Sequence, residues 1–265
     1  MFDTHLHLTF PDYEGRVCDV LAEARESGVT GAITISTTTQ DCLKALALAE
    51  AHADANLWCS AGIHPLYSHV EPRVWENLLK VATSERCVAW GELGLDLHYD
   101  GPHRATQHAV LEEQLAFISS AKREHGIDKP IVLHCREAFD ELIPVLKTSG
   151  FEASRFVFHC FTAGPREMRL LLDFGAMVSF TGVVTYKNAA EVQDAAKIVP
   201  KDRFMVETDA PFLTPAPHRG VRPNEPKFVR ATAEFLADLR GERWEDFHAQ
   251  INRNTERFFG LEHIE

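Results

Sequence analysis

Short apolar runs of four to seven residues alternate with amphipathic stretches along the whole chain, and they do so eight times. The runs are Phe2–His5, Ala32–Ser36, Leu57–Ile63, Cys87–Leu93, Pro130–His134, Phe156–His159, Ala176–Phe180 and Arg203–Glu207. Each is apolar on both faces, as parallel strands covered by helices must be. Between them lie helix-period segments: Gly15–Ser27, a segment capped by Thr37–Thr39 and running to His52, Pro72–Thr83, His103–His125, Glu137–Lys147, Pro165–Phe174 and Ala189–Ile198. Pro144 predicts a kink in the fifth of these. Two last helices are expected at Pro226–Leu239 and Trp244–Phe259. Eight strand–helix units in ~250 residues predict an α/β fold, a (β/α)8 TIM barrel spanning residues 1–265 as a single domain. The four-proline segment Thr214–Pro226 reads as a long loop over the active end.

At 265 residues the chain buries a large core without disulfides. Its six cysteines are scattered and show no CxxC spacing, which argues for a reducing compartment and no structural zinc. The start Met1-Phe2-Asp3-Thr4-His5 has no basic and apolar leader, and no apolar run reaches the ~20 residues of a membrane span. A cytoplasmic protein with no membrane contact is expected. The net charge of −12 argues against tight nonspecific binding to nucleic-acid backbones, although bound cations and a few arginines can invert the potential inside a cleft.

The chemistry sits where the strands end. His5 and His7 close the first run, two residues apart and so on one face of an extended segment. His64 ends the third, Glu92 the fourth, His134 the fifth and His159 the sixth, while Glu207 and Asp209 end the eighth. In a (β/α)8 enzyme the active site lies at the C-terminal ends of the strands. Four histidines (His5, His7, His134, His159) and two carboxylates (Glu92, Asp209) exceed what one catalytic ion needs. They suit two ions ~3.5–4 Å apart. Glu92, midway around the barrel, is the natural bridge, and Asp209 can also accept the proton of an attacking water. In this scheme His5 and His7 hold one ion and His134 and His159 the other. His52, His69, His125, His248 and His263 are expected to face solvent. His98, His103 and His108 are left open.

Asp3-Thr4-His5-Leu6-His7-Leu8, Gly62-Ile63-His64-Pro65, Gly91-Glu92-Leu93-Gly94-Leu95-Asp96, His134-Cys135-Arg136, His159-Cys160-Phe161, Glu207-Thr208-Asp209-Ala210-Pro211 and Asn224-Glu225-Pro226 together resemble the TatD family of metal-dependent deoxyribonuclease-like hydrolases. The resemblance runs through nearly the whole chain, in order. It implies the barrel, a centre of two divalent ions held by His5, His7, Glu92, His134, His159 and Asp209, and phosphodiester hydrolysis activated by Mg²⁺. It implies DNA as substrate, as single strands or 3′ ends, and a monomer. Histidine-rich donors favour Zn²⁺, Ni²⁺ or Mn²⁺ as the ion bound, whereas Mg²⁺ prefers oxygen. A position that is often serine in the family is Cys135 here. Strand alternation points both Cys135 and Cys160 into core packing rather than toward an ion.

In the nuclease reading Asp209, Glu92 and Glu207 are the catalytic carboxylates, and His64, Arg136 and Arg222 contact substrate. The forked Arg136 guanidinium suits a phosphate oxygen. Arg219, Arg222 and Lys187 are candidates for the nucleic-acid backbone. Two other readings keep the residues and change the outcome: hydrolysis of an amide, ester or lactone, or a non-catalytic scaffold that only binds metal. Glu92 stands where those other branches of the superfamily often carry a carbamylated lysine, which favours the nuclease.

Overall fold

The computed structural model describes residues 1–261. Strands β1 (Phe2–Leu6), β2 (Gly31–Thr34), β3 (Leu57–Ala61), β4 (Cys87–Asp96), β5 (Ile131–Arg136), β6 (Phe156–Phe158), β7 (Met177–Phe180) and β8 (Phe204–Val206) are parallel and hydrogen-bonded in sequence order. Helices α1 (Val17–Glu26), α2 (Asp41–Ala51), α3 (Trp75–Ala82), α4 (Arg104–His125), α5 (Phe139–Thr148), α6 (Pro165–Phe174), α7 (Ala190–Ile198) and α8 (Val229–Arg240) follow them in turn, and α9 (Trp244–Phe259) is added at the end. The ring closes between β1 and the segment after β8, through His7 N–H to Ala210 O (2.8 Å) and Asp209 N–H to His5 O (2.9 Å). This is the expected (β/α)8 barrel. Among the described residues no helix is long and apolar enough to cross a membrane.

The core divides in two. One cluster fills the barrel with Phe2, Ile33, Ile35, Val88, Val132, Val157, Met177 and Met205, and Phe258, Phe259 and Leu261 from the end of α9 pack onto it. The other is the shell between sheet and helices, with Trp90, Leu111, Leu142, Phe156, Leu171 and Phe204 among its members. Interior side chains in layers are what a closed eight-stranded barrel requires. The interior cluster occupies one end only. At the other end the same inward positions carry the histidines and acids.

Element ends moved by a few residues, for local reasons. Helix α2 starts at Asp41, not at the threonine run. Thr38 Oγ1 accepts the Asp41 N–H (3.0 Å), while the Asp41 carboxylate accepts the Thr37 N–H (2.9 Å), so the threonines cap from outside. His103 caps α4, its Nδ1 accepting the Ala105 N–H (3.2 Å). His98 and His108 pair with Glu137 and Glu141 on the surface. His69 and His125 are exposed, whereas His52 is half-buried and His248 stacks on Trp244 instead of standing free in solvent. His263 lies outside the described residues.

Strand β4 runs three residues further than its apolar pattern, to Asp96, because Gly91 and Gly94 let it lie tight against β5. Both glycines have positive φ, +124° and +144°. A Cβ on Gly91 would sit 2.5 Å from the Val132 carbonyl oxygen, and one on Gly94 would run into the carbonyl of His134. Gly94→Ala should therefore cost about 2 kcal/mol or more of unfolding free energy, from strain and displaced backbone together. Gly220→Ala, which meets nothing within 4 Å, should stay within about 0.5 kcal/mol of the parent in the same urea titration. Equal stability of the two variants would disprove the close-approach explanation.

Candidate metal centre

Five histidines from four parts of the chain converge on Glu92, which is fully buried, and Asp209 joins them through His5 and His7. Its Oε2 faces His5 Nε2 (3.2 Å) and His7 Nε2 (4.0 Å). Its Oε1 faces His159 Nε2 (2.5 Å), His134 Nδ1 (2.8 Å) and His64 Nε2 (3.4 Å). Asp209 Oδ1 lies 3.4 Å from His7 Nε2 and 3.7 Å from His5 Nε2. The His5 and His159 rings are stacked, with centroids 3.9 Å apart. Strand β1 delivers His5 and His7 to one face, as the i, i+2 spacing implied. A register irregularity between Asp3 and Leu6 is what allows Phe2 to pack in the barrel core while His5 and His7 both reach the centre.

The donors form three triads whose atoms lie within 4.8 Å of one another: His5, His7 and Glu92; His5, His159 and Asp209; His64, Glu92 and His134. Burial would raise the Glu92 carboxyl, but the imidazoles of His159, His64 and His5 outweigh it and hold it well below the usual carboxylate range. Asp209 is likewise lowered, burial being overcome by His7, His5 and His159. The carboxylates are thus ionised, the state a cation needs. His5 Nδ1 and Nε2 and Glu92 Oε2 are buried without a hydrogen-bond partner. Each such atom costs about 1–3 kcal/mol unless something satisfies it. Nitrogen and carboxylate donors converging on unsatisfied atoms fit a divalent metal.

Hydrogen bonds behind the rings assign the tautomers, because a neutral imidazole carries one proton. His7 Nδ1–H donates to Ile35 O (3.1 Å), leaving the Nε2 lone pair aimed at the centre. His134 Nε2–H donates to Asp96 Oδ2 (2.9 Å), which fixes the ring with Nδ1 directed at Glu92 Oε1 (2.8 Å). His159 Nδ1 makes no hydrogen bond but faces Glu207 Oε1 at ion-pair distance (3.5 Å), with Nε2 inward beside Glu92. These are the outer partners that metal-binding histidines use. His64 is different. Its Nδ1 accepts the Leu66 N–H (3.0 Å), so its own proton is on Nε2 and points at Glu92. Although His64 lies close enough to ligate, its inward atom is a donor and is suited to an acceptor oxygen.

Outside this ring the expected residues are placed unequally. Glu207 is buried behind His159, accepting the Cys160 N–H (2.7 Å) and the Thr4 hydroxyl (3.1 Å), and does not line the cavity. Arg136 does line it, its guanidinium 5.1 Å from the Tyr99 ring. Arg222 and Lys187 are exposed and outside the lining, and Arg219 sits over the Tyr186 ring. Cys135 is buried in the shell core, although it also borders the cavity. Cys160 departs from the alternation argument: its φ of +47° turns it out of strand register, and it is half-buried and lines the cavity. Burial, then the charges of Asp209 and Glu207, push its thiol well up, and neither cysteine belongs to a donor triad among the described residues.

Sequence reasoning gave no role to Asp96 or Asn224, although both stand in the quoted motifs. Asp96 is buried against His134. Asn224 Nδ2 donates to Thr208 O (3.1 Å) and Phe212 O (2.5 Å), clamping the turn that carries Asp209. A charged or amide residue inside an otherwise apolar or proline-rich motif was the available signal.

Two measurements check this arrangement. Asp96→Ala should weaken the tightest site for Zn²⁺ or Mn²⁺ by about 10–100-fold in calorimetric titration, as loss of an outer partner does. His64→Ala should leave metal content by elemental analysis unchanged, while His134→Ala lowers it. Loss of metal in His64→Ala equal to that in His134→Ala would refute the tautomer assignment.

The family model described as TatD related DNase matches residues 2–260. A metal-dependent hydrolase of Escherichia coli K12, YcfH, is 37% identical over 268 aligned residues, covering 100% of this chain and 96% of that protein. A Pantoea ananatis protein named 3′-5′ ssDNA/RNA exonuclease TatD is 33% identical, covering 98% and 100%. The crystal structure of the TatD homolog YJJV from E. coli K12 superposes with a TM-score of 0.89 at 29% identity, covering 99% of this chain and 98% of that one. With a matching family model, matching relatives and a matching fold around a histidine–carboxylate centre, the chain belongs to the TatD family of metal-dependent hydrolases.

Proposed function

We propose that this protein is a two-metal phosphodiesterase that removes nucleotides from the 3′ ends of single-stranded DNA. The observation that carries the reading is Glu92, whose two oxygens face different histidine sets: Oε2 toward His5 and His7, Oε1 toward His134 and His159. With divalent ions bound, Glu92 would be shared between the His5 and His7 side and the His134 and His159 side. His159 supports a slightly different division from the simple pairing of motifs, because it stacks on His5 and also lies 3.2 Å from His134 Nδ1, between the two halves. The 3′ polarity and the single strand come from relatives named 3′-5′ ssDNA/RNA exonuclease.

When bound, divalent ions would supply Lewis-acid polarisation of a phosphoryl oxygen and would acidify a water molecule. The chain's own residues do the rest. Asp209 lines the cavity, keeps 13% of its side chain exposed and is ionised, so its free oxygen can accept the proton of the attacking water. His64 Nε2–H donates to a phosphoryl oxygen. Arg136, the one Lys or Arg lining the cavity among the described residues, holds another. Glu207 and Asp96 hold His159 and His134 in orientation, Glu207 from behind the cavity wall.

Purified protein in Mg²⁺ or Mn²⁺ should shorten a 5′-labelled single strand stepwise from its far end. Asp209→Asn should lower kcat by about 10³-fold or more, combining lost proton acceptance with a weakened ligand set. Arg136→Ala should mainly raise KM, by about tenfold, with Arg136→Lys intermediate. Full turnover by Asp209→Asn would reject the mechanism, and turnover of amide or lactone substrates only would reject the substrate class.

A further inference from the structure

Among the described residues five large apolar side chains are exposed: Tyr67, Tyr99, Ile198, Phe212 and Val221. Three of them, Tyr67, Tyr99 and Phe212, line the mouth of the cavity of about 480 Å³ that contains the metal centre. Exposed aromatic rings gathered at one opening mark an interaction site. Phe10 joins them to the chemistry. Its ring lies 4.9 Å from that of His7 at an interplanar angle of 21°, and Phe212 packs edge-on against it at 6.0 Å. A ladder of rings thus leads outward from an inward-facing histidine. Across the cavity, Arg136 donates to the Tyr99 hydroxyl (3.2 Å) and stays on its ring.

Charge narrows the occupant. The chain carries a net −12, and among the described residues Arg136 is the sole Lys or Arg lining the cavity. A nucleic-acid site that works through the backbone needs many cations. A site with rings and one arginine instead suits flat groups with free faces, joined by few engaged phosphates. Unpaired bases have such faces, and paired bases in a duplex do not.

We propose that Phe10, Phe212, Tyr67 and Tyr99 form a stacking subsite for the unpaired bases beside the scissile phosphate, and that this subsite selects single strands. The subsite takes its meaning from the phosphodiesterase reading, but its test does not need turnover.

The experiment measures binding of fluorescein-labelled, nuclease-resistant phosphorothioate octamers in Mg²⁺ by anisotropy, with thymine at every position or with every base absent. The parent protein should hold the thymine octamer on the order of tenfold more tightly than the abasic one, about the effect of one stacked base. Phe10→Ala with Phe212→Ala should erase that preference, and Phe212→Trp should keep it. Circular dichroism melting checks that each variant is folded. The thymine affinity should also fall shallowly with salt, with a log–log slope of magnitude about 1 to 2. Equal binding of the two octamers by the parent, no binding of either, a preference that survives in the double alanine variant, or a steep salt slope would each overturn the subsite. Failure of the nuclease reading looks different: unmodified octamers would bind with the thymine preference intact and remain uncut in every metal.

Discussion

Everything at the active end hangs on one seam, the join between the first strand and the turn after the eighth. Asp3 is its centre. Oδ1 accepts the Thr208 N–H (2.9 Å) and the His5 N–H (3.3 Å), and Oδ2 accepts the Thr208 hydroxyl (2.6 Å). Backbone bonds on either side, from Asp209 to His5 and from His7 to Ala210, complete it. The contact that closes the barrel therefore also sets His5 and His7 opposite Asp209. A closed barrel has no free strand edge to slip, so ligand geometry and fold stability depend on the same few hydrogen bonds.

The same end collects charge that a protein interior resists. Glu92, Asp96 and Glu207 are buried together with His5, His7 and His159. Burying ionised groups is unfavourable unless they are paired and hydrogen-bonded. Here imidazoles hold the acids ionised, and backbone or carboxylate partners fix most of the imidazoles. Among the atoms left unsatisfied, His5 Nε2 and Glu92 Oε2 face each other in the middle. A cation resolves that tension, which explains why the chain tolerates such a cluster next to an otherwise apolar core. Asn224 adds to this by tying the loop after β8 to the turn that carries Asp209.

The eightfold barrel was legible because strand and helix periods are local properties of neighbouring residues. That the six expected donors would stand together was legible because each lies at the end of an apolar run, the active end of a parallel barrel. Element ends were less so. Asp41, Asp96 and Cys160 took their places through caps, glycine-permitted close approach and positive φ, none of which alters the apolar pattern. Glu207 and Asp209 look equivalent in the motif Glu207-Thr208-Asp209, yet one backs His159 and the other faces the cavity. The φ of +54° at Asp209 breaks the alternation between them.

By itself the sequence determined the fold class, the end of the barrel that does chemistry and the residue types available there, since these follow from patterns a few residues long. Only the tertiary structure decided which oxygen of Glu92 meets which histidine, that His64 presents a proton rather than a lone pair, and that Phe10, Tyr67, Tyr99 and Phe212 share one opening. Those outcomes depend on register, ring orientation and loop approach between segments up to about two hundred residues apart, and local pattern carries no information about distances of that kind.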